Sequence, residues 1–154
     1  MLERPYVAVV GPGEASADEL AAAEAVGSRL AHGGAVLVCG GLGGVMAAAC
    51  RGAAEAAGVT VGILPGLDRA AANQWVALAL PTGLGELRNG LVVRAADAVI
   101  AVGGAYGTLS EIALALRART PVIGLSTWRI HGVEAASSPE AAAARALELA
   151  RRHD

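Results

Sequence analysis

The chain has no phenylalanine and no lysine. All twelve of its cationic Lys/Arg positions are arginine. Schiff-base chemistry and lysine-anchored pyridoxal phosphate are therefore excluded. So is a Walker P-loop, whose lysine must reach the β- and γ-phosphates. Aromatic residues are 3% of the chain, so any core is aliphatic. Charged residues are only 17%, against about 25% in ordinary soluble domains. With 55% hydrophobic residues this is not the composition of a disordered chain. The net charge is −2 and no basic stripe is visible, so no nucleic-acid partner is expected. The two cysteines, Cys39 and Cys50, match no zinc or thioredoxin spacing. They read as small buried apolar residues, which suits a reducing, cytoplasmic setting. No basic segment precedes an apolar run at the start, so no signal peptide is expected. The stretch Leu30 to Cys50 lacks Asp, Glu and Arg, but six glycines and His32 break it, so no membrane partner is expected.

What is present is glycine, 21 residues of it, and a regular alternation. Short β-branched runs alternate with alanine-rich segments along all 154 residues, read as a single domain. Strands are expected at Tyr6–Val10, Ala35–Cys39, Val59–Leu64, Trp75–Leu80, Ala98–Val102 and Pro121–Leu125. Helices are expected after Ser16, from Val45 to Ala57, from Leu84 to Ala96, from Thr108 to Ala118, and after Ser138. Ser16-Ala17-Asp18-Glu19 reads as a capping box, and Pro139 occupies a first helical position. Continuously apolar strands separated by helices imply a parallel sheet covered on both faces. The expected fold is α/β: a Rossmann-like, doubly wound parallel sheet of about six or seven strands with helices on both faces.

In such a sheet ligands bind beyond the carboxyl ends of the strands. Three glycine turns fall there: Gly11-Pro12-Gly13, Gly40-Gly41-Leu42-Gly43-Gly44, and Gly103-Gly104-Ala105-Tyr106-Gly107. The last two open directly into helices, whose free N–H groups and dipole favour an anion. The expected ligand is a small phosphorylated molecule, seated between the Gly40–Gly44 turn and the Gly107-Thr108 helix start. The first turn lacks the third glycine of the dinucleotide fingerprint, which argues against NAD. Arg88 stands near a helix start, where a cation opposes the dipole, so a phosphate or Glu111 is its expected partner. Asn89 is a candidate hydrogen-bonding side chain. Thr108, read as a helix N-cap, has a hydroxyl to offer a phosphate. Thr108-Leu109-Ser110-Glu111 fits a capping box, and Glu111 fits equally a carboxylate beside a ribose. Ser16 reads as a cap, Met46 as core, Asp97 as a backbone or arginine contact, and His32 as a helix-end residue. His131 and His153 form no cluster with metal spacing, and no side-chain-bound metal is expected.

The turns carry a family resemblance. Gly40-Gly41-Leu42-Gly43-Gly44-Val45-Met46 resembles the GGGxxGLM turn of the Lonely Guy (LOG) proteins. Gly103-Gly104-Ala105-Tyr106-Gly107-Thr108-Leu109-Ser110-Glu111 resembles their PGGxGTxxE motif. Arg88-Asn89 lies where that family carries Arg-Lys. The resemblance covers most of the chain in order and spacing. It implies a nucleoside 5′-monophosphate phosphoribohydrolase, releasing base and ribose 5-phosphate, with Arg88 and Glu111 catalytic. The sequence departs from the pattern: Gly103 replaces proline, Ala105 a glycine, Ser110 a glutamate and Asn89 the lysine. These departures look more like a shorter branch that includes the molybdenum cofactor carrier proteins, which bind their cofactor as tetramers. The expectation is therefore a carrier or sensor needing no cofactor of its own, with molybdenum cofactor or a nucleoside monophosphate as ligand. The phosphoribohydrolase is the alternative. A lysine decarboxylase, a label often attached to this family, is not expected without a lysine. Low charge and high apolar content point to a homodimer or homotetramer.

Overall fold

A computed structural model describes residues 3–152. In chain order the elements are β1 (Tyr6–Val10), α1 (Ala17–His32), β2 (Val36–Cys39), α2 (Val45–Glu55), β3 (Val59–Leu64) and β4 (Leu78–Pro81). They continue with α3 (Asn89–Arg94), β5 (Ala98–Val102), α4 (Tyr106–Arg117), β6 (Val122–Leu125), β7 (Val133–Ala135) and α5 (Pro139–Arg151). Single 3₁₀ turns occupy Arg69–Ala71 and Gly85–Arg88. All seven strands form one sheet in the order β4-β3-β2-β1-β5-β6-β7, and every pairing is parallel. This is the doubly wound α/β arrangement: the chain steps outward from β1 to β4, returns beside β1 as β5, and steps outward the other way. The topological switch point lies between β1 and β5.

The two faces are covered unequally. Helices α1, α2 and α5 pack on one, over Val7, Val9, Leu37, Ile100 and Ile123. Helices α3 and α4 pack on the other, over Ala8, Val10, Val38, Val99 and Ala101. On the first face small residues let backbones touch. A Cβ added to Gly27 would collide with the Ala49 carbonyl oxygen, and one on Gly52 with that of Glu24, so α1 and α2 lie in direct backbone contact. Helix α1 starts where its capping box predicts. The Glu19 amide donates to Ser16 Oγ at 3.1 Å and the Ser16 amide to Glu19 Oε1 at 3.0 Å. Helix α5 starts with Pro139 in its first turn, and the Ala141 amide donates to Ser138 Oγ at 3.1 Å.

The second face is thin because α3 has only six residues. In register, Leu78 and Leu80 of the edge strand β4 sit beside Val61 and Ile63, on the α3–α4 side. The described residues cover them only in part, and each is about half exposed.

Three expected elements are shifted. The strand expected at Trp75–Leu80 begins at Leu78, because Asn73 organises a turn: its Oδ1 accepts from the Trp75 amide at 3.0 Å. The helix expected over Leu84–Ala96 is a 3₁₀ turn at Gly85–Arg88 that runs directly into the short α3; positive φ at Gly83 and Gly85 keeps an α-helix from starting at Leu84. Helix α4 starts at Tyr106, two residues before Thr108.

Candidate functional site

The carboxyl ends of the strands bring the second and third glycine turns together around a cleft of about 440 Å³. Leu42, Pro65, Arg88, Asn89, Tyr106 and Gly107 line it. Arg88 is its anchor. The 3₁₀ turn delivers the side chain beneath the sheet ends, where it is 9% exposed. Its Nε donates to the Ile63 carbonyl at 2.9 Å and its Nη2 to the Gly40 carbonyl at 3.4 Å. Its Nη1 donates to Asn89 Oδ1. Asn89 Nδ2 donates to Ser110 Oγ at 3.1 Å, and Ser110 Oγ donates to the Gly107 carbonyl at 2.8 Å. One chain of hydrogen bonds thus runs from the Gly40 turn through Arg88, Asn89 and Ser110 to the start of α4.

Among the described residues Arg88 donates none of these bonds to a carboxylate, and no carboxylate forms an ion pair with it. Its charge is held by backbone and amide oxygens and stays available to an anion. The start of α4 is equally unspent. Ala105 occupies the N-cap position, and no side chain caps the first-turn amides. Thr108 is the third residue of α4, not its cap. Its Oγ1 is buried and has no hydrogen-bond partner, at 2% residue exposure. A buried hydroxyl without a partner is costly, and Thr108 itself does not line the cleft.

Glu111 lies one turn further along α4 and is 8% exposed. It does not close a capping box with Thr108. Burial pushes its carboxyl up from 4.5 to about 7, with the Arg88 charge opposing the rise. Near neutral pH it both holds and releases a proton.

The glycines divide by what surrounds them. Gly11 is packed against the Val102 carbonyl and the Val45 side chain, and Gly40 against the Arg88 guanidinium. Gly41 meets the Leu64 side chain, and Gly44, the N-cap of α2, meets the Pro12 carbonyl. Gly103 is closed by the Glu19 carboxylate and Gly104 by the Trp128 ring, which would stand 2.8 Å from an added Cβ. A Cβ on any of these six would collide, so they shape the turns by close approach. Of the glycines in the three turns, Gly13, Gly43 and Gly107 are open to an approaching group. Gly13 and Gly44 face a separate groove with Arg51 and Trp75. The first turn is thus not brought into the cleft, while Arg88, Asn89, Tyr106 and Gly107 are.

The remaining candidates take structural places. Asp97 Oδ2 accepts from the Tyr6 amide at 2.8 Å. His32 Nδ1 bonds the Ser28 carbonyl at 2.8 Å. Met46 packs against the larger core. His131 lies in the loop between β6 and β7, and His153 lies outside the described residues. No cluster of three or more His, Cys, Asp or Glu that could hold a metal occurs among the described residues. No helix among them is long and apolar enough to cross a membrane. Cys39 and Cys50, expected to be buried and to form no metal or redox pair, are buried with their sulfurs 3.4 Å from each other. Sequence reading gave no site role to Leu42, Pro65 or Ser110. Only Ser110 carried a signal, as a departure from the LOG pattern. It bonds Asn89, another departure. Where that pattern carries lysine and glutamate, this chain has a neutral Asn–Ser pair.

Known proteins share this fold. An uncharacterised protein of Archaeoglobus fulgidus is 39% identical over 137 residues, 88% of this chain and 90% of that one. The molybdenum cofactor binding protein of the phototrophic bacterium Rippkaea orientalis superposes with a TM-score of 0.86 at 40% identity, covering 91% of this chain and 93% of the other. The molybdenum cofactor carrier protein of Chlamydomonas reinhardtii superposes with a TM-score of 0.89 at 34% identity, covering 97% and 99%. Residues 4–151, nearly the whole chain, match the SLOG cluster4 family, and the chain belongs to that family.

Proposed function

We propose that this chain binds molybdenum cofactor, or a phosphate-bearing molecule closely like it, and carries it unchanged. The observation that carries the reading is the Arg88–Asn89–Ser110 bridge. It aims an arginine without a carboxylate partner, and the uncapped start of α4, at one cleft. Charge-assisted bonds from such groups contribute roughly 1.5–3 kcal/mol each, enough to hold a phosphate. The likeness to proteins that bind and carry molybdenum cofactor supports the rest of the ligand. The neutral Asn89–Ser110 pair, in place of two charges, supports carriage over catalysis. Arg88→Ala should weaken binding of molybdenum cofactor and of adenosine monophosphate about tenfold or more, the ~1.4 kcal/mol or more expected of one lost charged contact. Calorimetry giving equal affinities would remove Arg88 from the site.

One observation favours a second reading, phosphoribohydrolysis. Glu111 is buried near Arg88 and titrates at about 7, the range of a useful proton donor. Incubation with adenosine monophosphate decides: free adenine released by the wild type, and lost in Glu111→Gln, would replace the carrier with an enzyme.

We further infer that the protein works as a homodimer or homotetramer in the cytoplasm. The thin sheet face exposes Leu87 (79%) and Tyr106 (90%) together with Leu78, Leu80, Leu91 and Leu109. A second copy covering that face would hide them.

A further inference from the structure

Beneath the Gly40–Gly44 turn lies a pair of groups the proposed binding site leaves unused. Cys39 closes β2, and Cys50 stands eleven residues on, inside α2. Both are fully buried and reduced, with their sulfurs 3.4 Å apart. The Gly41 amide donates to Cys39 Sγ at 3.3 Å, so the pair is bonded into the turn itself. Asn73 holds the turn from the other side, its Nδ2 donating to the Leu42 carbonyl at 2.9 Å.

The surroundings distinguish the two thiols. Cys50 is lowered from its ordinary value by hydrogen bonding from Cys39, with Asn73 helping. Cys39 is raised by its bond to Cys50 and by burial, with the Glu111 charge adding. One sulfur is the readier thiolate and the other keeps its proton, the asymmetry that thiol oxidation in two steps uses.

We propose that Cys39 and Cys50 form a redox modification site, closed to an intrachain disulfide by a small peroxide, and that closure fixes the Gly40–Gly44 turn. The Cys50 thiolate attacks one oxygen of hydrogen peroxide. The O–O bond breaks, hydroxide leaves and takes up the proton Cys50 gave, and Cys50 becomes a sulfenic acid. Cys39 sulfur then attacks the Cys50 sulfur. The S–O bond breaks, the departing hydroxide takes the Cys39 proton, and a second water leaves. The two thiols have lost two protons and two electrons, and one peroxide has become two waters. The sulfurs must close by about 1.4 Å to reach disulfide length. Because Cys39 directly precedes Gly40, whose carbonyl accepts from Arg88, the movement is felt by the segment that holds the arginine. This coupling rests on the binding role proposed above; disulfide formation does not.

The test oxidises the full-length native protein with hydrogen peroxide, then denatures and alkylates it. Trypsin cuts after Arg29 and Arg51, so the peptide Leu30–Arg51 carries both of the chain's cysteines. The expected result is a peptide lighter by two hydrogens that takes no alkyl group until dithiothreitol is added. Cys39→Ala, treated alike, should stop at a Cys50 sulfenic acid that dimedone traps. Should that variant not fold, the wild-type masses decide alone. Two alkylatable thiols after oxidation, separate sulfinic acids, or chain-to-chain crosslinks would overturn the proposal. Inorganic phosphate is then titrated into the reduced and oxidised forms, with affinities expected to differ at least threefold. Equal affinities would overturn the coupling. Failure of both forms to bind phosphate would count against the binding role and the coupling together, while the peptide mass still decides the disulfide.

Discussion

On one face of the sheet, α1, α2 and α5 pack alanine and glycine so closely that no methyl group can be added at Gly27 or Gly52. On the other, α3 and α4 leave leucines half bare and bury Arg88, Asn89, Thr108 and Glu111. Thr60, on β3, is the other buried polar residue among those described, and its hydroxyl is satisfied by the Trp75 carbonyl at 2.7 Å. The first face spends its sequence on backbone contact and, among the described residues, buries one polar side chain, Thr60. The second gives up packing and gains room for a charged group, a carboxyl and an unspent hydroxyl at the strand ends. A rigid face and a thin face thus divide the work of stability and binding.

Gly52→Ala would break the rigid face most directly. In an ordinary helix interior this change gains about 1 kcal/mol. Here the new methyl would strike the Glu24 carbonyl, and α1 and α2 would have to part. The expected outcome of thermal or urea denaturation is a loss of about 3 kcal/mol. A gain would show that the two helices slide apart freely.

Glu111→Gln sharpens the thin face, with the opposite sign. The folded carboxyl is raised to about 7, so the folded protein holds that proton more tightly than the unfolded chain does. The stability this provides is complete below about pH 4.5 and is lost as pH rises through 7. Glutamine stays neutral throughout. The variant should match the wild type near pH 4.5 and exceed it above pH 7 by about 2–3 kcal/mol. Parallel stability curves across that window would show that Glu111 is not buried as described.

Leu87→Asp is the smallest change to the chain itself. At 79% exposure it should move the stability of an isolated subunit by no more than about 0.5 kcal/mol. It should nevertheless lower the sedimentation coefficient, because a charge on the bare face cannot be buried by a second copy. An unchanged coefficient would mean that subunits meet elsewhere, or not at all.

The sequence was most legible where a signal is local. β1, β3 and β5 begin and end where the apolar runs do, and Ser16 and Pro139 mark their helices. It was least legible where tertiary contact decides. Helix α4 has no capping side chain, since Ala105 supplies none, and Thr108 was the first plausible substitute. Glu111 was ambiguous because a capping glutamate and a buried pocket glutamate look identical in sequence; burial separates them. Ser110 stands out in the sequence as a departure from the LOG pattern, but its bond to Asn89 crosses 21 residues and has no sequence period. Cys39 and Cys50 meet through a strand, a turn and a helix, a path that metal and redox spacings do not describe. The three residues of β7 are too few to show alternation.

The place of β1 at the switch point has a consequence for the order in which the protein is made. Its residues Tyr6 to Ala8 pair on one side with β2, which follows closely, and Val7 to Val10 pair on the other with β5. The Tyr6 amide finds the Asp97 carboxylate across a separation of 91 residues. At a synthesis rate of roughly 5–20 residues per second, β1 waits roughly 5–20 seconds for its second neighbour. During that interval β1 to β4 can form half a sheet, and the strand destined to be most enclosed is its open edge. Until β5 emerges, an unpaired row of valine backbone is the nascent chain's most adhesive feature, and the ribosome's pace through residues 78–102 sets how long it stays so.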